Sequence, residues 1–538
     1  MPSHTFTEGA PELRGSIDEL LHWLATASAH CAIAVVLGAL AASAMRTRHL
    51  HWSWGAGAVA LVTVASPELS GWSFTLLLAA LFATVRGRRW HREDLEAGAD
   101  LAELAERRSR PWDLLYACAR GLLSRVREYL GGARWLRGCE LQLGVDEGGR
   151  TVSIPFAGSG GAHTLVVGAT GSGKTVTQSW IAVRAIEHGM GAVVLDPKGD
   201  ADLREHISRA ALAAGRSFIE WTPRGECVYN PYARGGSGEI ADKALAGERF
   251  TEPHYLRQAQ RYLGHAVRAL RETGCEVSLP AIVAALDPAR LELLARELPE
   301  RQAGETFAYL DALSSRQRSE LSGVRDRLAI LAESDVGRWL DPRTAGARRF
   351  DLLSAARERA VVYFSLESDS RPLLSEMLGA AIVQDLQTTV AALQGSPVAT
   401  LVAIDEFSAI ASEQVVRLFG RARSAGFSLL LGTQELSDLR LPGRERLLDQ
   451  VLGNLSVLIA HRQVVPSSAE LIASVAGSRG AWRVTRHSDG RSTRTRTREQ
   501  VLEPDRVMSL SRGWGAVLVL ADGRSARIAR MFSPGPRR

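Results

Sequence analysis

The chain has 538 residues, which is too long for one compact core and predicts two or three domains. Lys and Arg number 65 against 59 Asp and Glu, so the formal net charge is +6 and favours anionic partners. The five cysteines include no C-x-x-C pair. This composition argues against a zinc-finger or disulfide-framework protein and suits a reducing compartment.

Two apolar regions near the N-terminus predict a membrane anchor over residues 1–92. Residues 20–45 are long enough to cross a hydrocarbon core of about 30 Å. Residues 52–85 are too long for one span and short for two, which leaves the anchor with two or three helices. A cleaved secretory signal is disfavoured because no basic segment precedes the first apolar run. The arginines after the second region predict a cytoplasmic location for everything that follows them: Arg86, Arg88, Arg89 and Arg92.

Residues 168–175 read Gly-Ala-Thr-Gly-Ser-Gly-Lys-Thr and fit G-x-x-x-x-G-K-[ST], a loop whose backbone N–H groups cradle phosphates. The apolar run 163–168 predicts a buried strand before it, and 176–188 predict a helix after it. Lys174 is expected to reach the β- and γ-phosphates, and the Thr175 hydroxyl to complete a Mg²⁺ shell. The nucleotide-binding residues are therefore predicted to be Gly168, Ala169, Thr170, Gly171, Ser172, Gly173, Lys174 and Thr175.

Strand and helix patterns alternate on both sides of a helical stretch, which predicts an α/β fold with a mostly parallel sheet and an insertion. Residues 139–235 and 336–538 are assigned to the nucleotide-binding domain, whose first segment, 140–155, predicts a β-hairpin. Residues 236–335 carry few strand signals, so we expect an inserted all-α domain. Residues 93–138 predict linker helices that lie on the membrane surface or pack on the soluble domain.

A second apolar strand, 399–404, delivers Asp405 and Glu406 at its end. Asp405 is expected to hold Mg²⁺, and Glu406 to polarise the attacking water of a hydrolytic site. Gln434 follows the next buried strand and would lie beside the γ-phosphate. The basic helix end at 420–426 offers Arg423 and Arg421 as arginine fingers for a neighbouring subunit, with a solvated helix terminus as the alternative. The predicted catalytic set is Lys174, Glu406, Arg423 and Gln434.

The ordered set of motifs resembles type IV coupling proteins of the TraG/TraD class, within the FtsK/HerA group of DNA-pumping ATPases. It comprises the P-loop, Asp196-Pro-Lys-Gly-Asp200, Asn230-Pro231, Ile404-Asp-Glu-Phe407, Gly420-Arg-Ala-Arg-Ser-Ala-Gly426 and Gly432-Thr-Gln434. The resemblance implies a RecA-like motor domain, a membrane-distal all-α domain and a homohexamer, with ATP and Mg²⁺ bound. It implies DNA, a relaxase or relaxosome, and type IV secretion channel proteins as partners. It also places the trans-acting arginine at Arg423.

The predicted function is therefore an ATP-driven DNA translocase, multi-pass in the bacterial inner membrane with its ATPase domain in the cytoplasm. It would couple a relaxase–DNA substrate to a conjugation channel. The alternatives are a chromosomal DNA translocase of the FtsK/HerA type and a membrane docking scaffold that binds nucleotide with little turnover. An ABC transporter is excluded because no Leu-Ser-Gly-Gly-Gln signature lies between the P-loop and the acidic strand.

Arginines alternate with Ser and Thr near the C-terminal end of the core, between residues 479 and 498. In an extended segment this spacing places arginines on one face, which suits phosphates spaced along a nucleic-acid strand. A solvated loop or β-hairpin on the core surface is the alternative. The candidate DNA contacts are Arg483, Arg486, Arg491, Arg494, Arg496 and Arg498.

Overall fold

The computed structural model describes residues 10–47, 50–65, 71–96, 136–137, 140–156, 162–248, 250, 252–410, 412–440, 446–486, 492–521 and 525–535. They belong to two compact units. Unit 1 comprises Met1–Gly132, Gly148–Arg150 and Arg479–Glu499, and unit 2 comprises Ala133–Glu147, Thr151–Ser478 and Gln500–Arg538. Most of the predicted linker, 93–138, lies outside the described residues.

The strands of the described residues follow one another from residue 136 to residue 531. They are β1 Leu136–Arg137, β2 Glu140–Asp146, β3 Thr151–Pro155, β4 Thr164–Val167, β5 Gly191–Asp196, β6 Phe218–Trp221, β7 Cys227–Tyr229, β8 Arg348–Phe350, β9 Val361–Ser365, β10 Thr400–Ile404, β11 Phe427–Thr433, β12 Val457–Ala460, β13 Ser478–Arg486, β14 Ser492–Gln500, β15 Trp514–Val519 and β16 Ser525–Met531.

Unit 2 is built on one large sheet in the order β1-β2-β16-β15-β12-β4-β11-β10-β5-β9-β6, with β3 paired to β2. From β12 to β6 every neighbouring pair is parallel. The central strands of this stretch are buried along their whole length, as expected of parallel strands covered on both faces. The predicted mostly parallel α/β sheet is confirmed.

Beyond β12 the sheet continues antiparallel through β15, β16 and β2. The predicted hairpin is present as β2 and β3, with Leu141 opposite Ile154. It precedes β4 in the chain, but β16, β15 and β12 separate β2 from β4 in the sheet. The hairpin therefore extends the sheet edge and does not adjoin the P-loop strand.

Helices cover the sheet and fill the stretch between β7 and β8. The α-helices of the described residues are α1 Ala10–Thr47, α2 Ser53–Ala65, α3 Gly71–Glu96, α4 Lys174–Glu187, α5 Ala201–Ala213, α6 Ser237–Leu245, α7 Pro253–Glu272, α8 Leu279–Ala285, α9 Pro288–Ala295, α10 Glu300–Asp311, α11 Ser315–Ala332, α12 Leu352–Arg357, α13 Pro372–Ala392, α14 Phe407–Ile410, α15 Ser412–Ala422, α16 Leu447–Asn454, α17 Pro466–Ala476 and α18 Pro504–Met508.

Within unit 2, the helical stretch α6–α11 begins and ends close to one place, because β7 before it and β8 after it pair in parallel. A buried ion pair fixes its first helix to α13: Lys243 Nζ lies 2.7 Å from Asp385 Oδ1. The ammonium also donates to the carbonyl oxygens of Pro231 and Arg234, and the Tyr229 hydroxyl donates to Asp385. Satisfying every donor in this way offsets the cost of burying the two charges.

Unit 1 contains α1, α2 and α3, with α3 packed against both of the others. Small residues allow the close approach of α1 and α3, since a Cβ on Gly38 would lie 2.7 Å from the Ala79 carbonyl oxygen. One polar contact joins the same pair of helices, where His30 Nδ1 lies 2.7 Å from Thr75 Oγ1. Strands β13 and β14 pair with each other in a two-stranded sheet.

Among the described residues, one helix is long and apolar enough to cross a membrane, over Leu21–Met45 within α1. The second predicted region, 52–85, is divided between the 13-residue helix α2 and the start of α3, and the described residues end α2 at Ala65. The prediction of a single apolar span in 20–45 is matched, whereas the prediction of several spans is not supported. The physical reason is that α3 soon becomes rich in charged residues, and α2 is too short to span the bilayer by itself.

Candidate nucleotide-hydrolysis site

The candidate site lies where four parallel strands of unit 2 end. The ladder pairs Ile404 of β10 with Leu195 of β5 and Leu431 of β11, while Val167 of β4 pairs with Thr433. Residues that follow these strands are therefore brought to one edge of the sheet. In open α/β sheets, ligands bind at this carboxyl edge.

The P-loop joins β4 to α4 in a conformation that its glycines make possible. Gly171 and Gly173 have φ of 76° and 112°, values that favour glycine. Gly168 has no room for a side chain, because a Cβ there would lie 2.6 Å from Ser172 Oγ. The loop is braced on both sides, as the Ala169 N–H donates to the Arg462 carbonyl oxygen and the Gly513 N–H to that of Ser172.

Lys174 begins α4 and is buried against the acidic pair. Its Nζ lies 2.5 Å from Glu406 Oε1 and 3.2 Å from Asp405 Oδ1. The three side chains are predicted site residues from segments more than 200 positions apart, and the sheet brings them together. The arrangement neutralises part of the charge that two neighbouring buried carboxylates would otherwise carry.

Glu406 Oε1 accepts hydrogen bonds from two further side chains. Lys198 Nζ, from the loop after β5, lies 3.1 Å away, and Gln434 Nε2, after β11, lies 3.2 Å away. The Gln434 Oε1 atom in turn lies 3.5 Å from the Thr170 hydroxyl of the P-loop. Gln434 thus links the predicted base to the predicted phosphate loop.

The backbone at Glu406 is unusual, since its φ is 45°, in the region that favours glycine. The Glu406 N–H donates to Asp405 Oδ1, and the Asp405 N–H donates to the Leu195 carbonyl oxygen. These bonds hold the two residues in a tight turn at the end of β10. Non-glycine residues in such strained conformations are commonly found at functional sites.

The pKa values of Asp405 and Glu406 shift in opposite directions. Burial raises the pKa of Asp405 above its usual range, although Lys174 opposes the rise. Burial also opposes ionisation of Glu406, but Lys174 and Lys198 outweigh it and lower the pKa of that carboxyl. Burial disfavours the charge of Lys198 as well, yet the Glu406 carboxylate raises the Lys198 pKa. Glu406 is therefore an ionised carboxylate held by cations.

Space beside Asp405 depends on Gly432 in β11. A Cβ at Gly432 would lie 2.5 Å from Asp405 Oδ1 and 2.3 Å from Gln178 Nε2, so an alanine there would displace both side chains. The Gly432-Thr-Gln434 motif therefore has two separate structural uses. Gly432 leaves room for the Asp405 carboxylate, and Gln434 donates to Glu406.

The donor set fits a Mg²⁺–nucleotide complex better than a metal bound by protein alone. Among the described residues no group of three or more His, Cys, Asp or Glu side chains could hold a metal ion. Thr175 and Asp405 supply one hydroxyl and one carboxylate at the same strand edge, and Mg²⁺ commonly takes one or two such ligands together with substrate phosphates and waters.

Arg423 does not lie at this site. It precedes β11, and its guanidinium donates to the Asn454 carbonyl oxygen at 3.0 Å and to Ser456 Oγ at 3.2 Å, before β12. Because β11 has seven residues, about 20 Å of strand separates Arg423 from the carboxyl edge. Arg421 is exposed at the end of α15 nearby. Neither arginine is close to the P-loop of its own chain.

Three side chains that sequence analysis does not name also belong to the site: Lys198, Gln178 and His461. Lys198 lies in the Asp196–Asp200 motif, so its position after a parallel strand was a usable signal. Gln178 lies on the buried face of α4. His461 follows β12 with no motif around it, and nothing in the sequence marks it.

His461 supports the P-loop from below. Its Nδ1 lies 2.9 Å from the Trp514 carbonyl oxygen, so Nδ1 carries the proton and donates. Its Nε2, 2.9 Å from Thr177 Oγ1, then accepts from that hydroxyl on α4. Burial lowers the pKa of His461 from 6.5 to about 4, the Trp514 bond raises it in part, and Lys174 lowers it further.

The predicted DNA-contacting arginines fall on β13 and β14, except for Arg491, which lies outside the described residues. Arg496 and Arg498 are exposed on β14. They are two positions apart in a strand, so they share one face. The segment is a two-stranded hairpin, and its contact with DNA stays a prediction.

Two family models match the chain. Residues 399–512, which include Asp405, Glu406 and Gln434, match the model described as the TraM recognition site of TraD and TraG. Residues 151–205, which include the P-loop and Lys198, match the central domain of the helicase HerA. A search of curated proteins found no match.

Several solved structures share the fold. The bacterial conjugative coupling protein TrwBdeltaN70, in an unbound form, is 19% identical with a TM-score of 0.55, over 73% of this chain and 88% of that chain. The plasmid coupling protein TrwB with ADP and Mg²⁺ is 19% identical with a TM-score of 0.55, over 69% and 85%. VirB4 of Thermoanaerobacter pseudethanolicus is 15% identical with a TM-score of 0.50, over 74% and 98%.

These structures show that the chain has the RecA-like α/β fold predicted from the sequence. The two family models add that the chain resembles TraG, TraD and HerA at the segments that carry its candidate site. Together these findings support the resemblance to type IV coupling proteins of the FtsK/HerA P-loop group.

The buried neutral His461 predicts a loss of stability in acid. Because its pKa falls from 6.5 to about 4 on folding, the unfolded chain binds the proton more tightly. Neutral His461 therefore contributes about 3 kcal/mol to the free energy of unfolding above about pH 6.5. This contribution is lost as the pH falls through about 4. We expect urea unfolding, followed by tryptophan fluorescence, to show a shallower pH dependence in His461→Gln than in the parent. The same slope in both proteins would contradict this assignment.

Proposed function

We propose that this chain is a type IV coupling protein of the FtsK/HerA P-loop group, a membrane-anchored ATPase that drives DNA transfer in conjugation. The observation that carries the proposal is the meeting of Lys174, Glu406 and Gln434 at one carboxylate oxygen beside the P-loop. An ionised glutamate at this position suits activation of a water.

Each residue of the site would have its own role in ATP hydrolysis. The P-loop backbone and Lys174 would bind the β- and γ-phosphates, with Thr175 and Asp405 holding Mg²⁺, which neutralises charge on the phosphates when bound. Glu406 would orient the attacking water and take its proton. Lys174 must first leave Glu406, because a carboxylate oxygen held by an ammonium at 2.5 Å is a poor base.

Gln434 would report the state of the nucleotide. It donates to Glu406 and lies at hydrogen-bond distance from Thr170, so movement of the P-loop side chains on ATP binding changes both contacts. Gln434 directly follows β11, and Arg423 lies in the short turn before the start of that strand. A shift of this strand would link the site to the distant edge of the sheet.

We propose that Arg423 acts on the nucleotide of a neighbouring subunit in a homohexamer. What supports this is its location, since Arg423 is exposed and lies at the edge opposite its own P-loop. A contact in trans would stabilise charge in the transition state as arginine fingers do. Hydrolysis would then depend on assembly of the ring.

The cargo and membrane partners are proposed from the family resemblance. DNA would be contacted along the hairpin β13–β14, where Arg496 and Arg498 are exposed. The match to the TraM recognition site supports a relaxosome partner, and the neighbours TrwB and VirB4 support a type IV secretion channel. Leu21–Met45 would anchor the chain in the bacterial inner membrane, and the helical stretch 236–335 would form the membrane-distal domain.

The first test is DNA-stimulated ATP hydrolysis by the full chain in detergent micelles. We expect turnover by the parent, and a loss of about 100-fold or more in Glu406→Gln with ATP binding retained, because the amide cannot take a proton. Glu205→Gln, at an exposed glutamate paired with Arg209, serves as the matched control and should keep parental turnover. A parent that binds ATP but does not hydrolyse it favours the docking scaffold. Undiminished turnover in Glu406→Gln would remove Glu406 as the base.

The second test asks whether Arg423 acts in trans. Lys174→Ala and Arg423→Ala should each abolish turnover, while rings mixed one to one should recover it at about one interface in four, where both intact residues face each other. Arg417→Ala, at an exposed arginine on α15 shortly before Arg423, is the control and should resemble the parent. Intact mixed rings without recovery would show that Arg423 does not complete its neighbour's site.

A further inference from the structure

Lys198 is the cation of the site that no predicted role explains. It lies in the loop between β5 and α5, and its Nζ is 3.1 Å from Glu406 Oε1. Lys174 Nζ is 2.5 Å from the same oxygen. The two ammonium groups are therefore no more than about 6 Å apart, a distance at which like charges repel unless anions lie between them.

The loop that carries Lys198 is held firmly. The Asp196 carboxylate accepts the N–H groups of Lys198, Gly199 and Asp200, at 2.9, 2.9 and 2.6 Å. The Tyr363 hydroxyl donates to the same carboxylate at 2.5 Å. Gly199 has a φ of 74°, and Asp200 caps α5 by accepting from the N–H groups of Asp202 and Leu203. The backbone at Lys198 is thus fixed at the strand edge, next to the acidic pair.

The Lys198 side chain is free to move although its backbone is not. It is 45% exposed, while Glu406 is 10% exposed, so one end of the ion pair can reorient into solvent. A lysine stem has four rotatable bonds and an ammonium that donates in three directions. An ammonium that approaches within about 6 Å of the phosphate-binding lysine is close enough to reach the terminal phosphate of a bound nucleotide.

We propose that Lys198 is a second γ-phosphate ligand, which exchanges Glu406 for the γ-phosphate when ATP binds and so releases the base. The proposal rests on the ATPase function proposed above. ADP lacks the γ-phosphate, so with ADP bound Lys198 stays on Glu406. The exchange therefore makes Lys198 a specificity-determining residue for ATP against ADP and a switch for the base. Both lysines leave Glu406 Oε1 only when a triphosphate is present.

Nucleotide binding tests the exchange without any need for turnover. The probes are Mg²⁺-ADP and the Mg²⁺ complex of a β,γ-imido ATP analogue, bound to the full chain in detergent micelles and measured by calorimetry. Lys198→Ala should weaken binding of the analogue by about 10- to 100-fold and that of ADP by less than about threefold. Lys198→Arg, which keeps the charge, should restore part of the selectivity. Arg209→Ala, an exposed cation on the following helix, should leave both affinities unchanged.

Steady-state kinetics distinguish a role of Lys198 in releasing Glu406 from a purely structural role. Lys198→Ala should lower kcat by about 10-fold or more and raise KM for ATP by about the factor by which analogue binding weakens, and Lys198→Arg should recover part of both. A truncation that merely loosens the loop would weaken ADP binding to the same extent as binding of the analogue. Equal losses of ADP and analogue affinity, unchanged affinities, or faster turnover in Lys198→Ala would each overturn the proposal. A parent that binds both nucleotides without hydrolysing ATP would instead overturn the proposed function, and the affinity ratio would still decide the role of Lys198.

Discussion

The site depends on one carboxylate oxygen, Glu406 Oε1, to which Lys174, Lys198 and Gln434 all donate. Each donor comes from a different segment of the chain, and each segment follows or begins at a parallel strand end. Burying Asp405 and Glu406 side by side is costly, and the two lysines offset that cost. The cluster is therefore stable without a ligand, and an anion that competes for the lysines must rearrange it.

This constraint explains how a bound triphosphate can occupy the site and also release Glu406. A triphosphate is a more highly charged anion than a carboxylate, so it can draw Lys174 away from Glu406. Glu406 then becomes available as a base only when the substrate is present. The strained backbone at Glu406, with φ of 45°, keeps the carboxylate aimed at the P-loop while its partners change. Gly432 contributes by leaving the space that Asp405 occupies.

Parts of the site were predictable because strong local patterns encode them. The P-loop combines a buried strand, a glycine-rich turn and a helix, and the second apolar run ends in two carboxylates. Strand ends of a parallel sheet meet at one edge, so the meeting of the P-loop with Asp405 and Glu406 at one site followed from the pattern. The α/β class and the hairpin β2–β3 were predictable for the same reason.

Other parts depend on long-range packing that no local pattern records. His461 reaches the P-loop only because β12 lies beside β4, and its neutral state follows from burial. Lys198 stood in a recognised motif, but its contact with Glu406 required the order of β5 and β10. A second membrane span is not supported, because the second apolar region divides into a short helix and one that soon becomes rich in charged residues. The role of Arg423 cannot follow from one chain, since its own P-loop lies at the other edge of the sheet.

A structure of the full chain with Mg²⁺ and a non-hydrolysable ATP analogue tests most directly whether nucleotide binding frees Glu406. We expect Lys174 Nζ to leave Glu406 Oε1, now 2.5 Å away, for the β- and γ-phosphates, and a water to take its place beside Glu406. Thr175 and Asp405 should be the side chains that contact the bound Mg²⁺. A bound triphosphate with the Lys174–Glu406 ion pair still intact would contradict the claim that nucleotide binding frees the base.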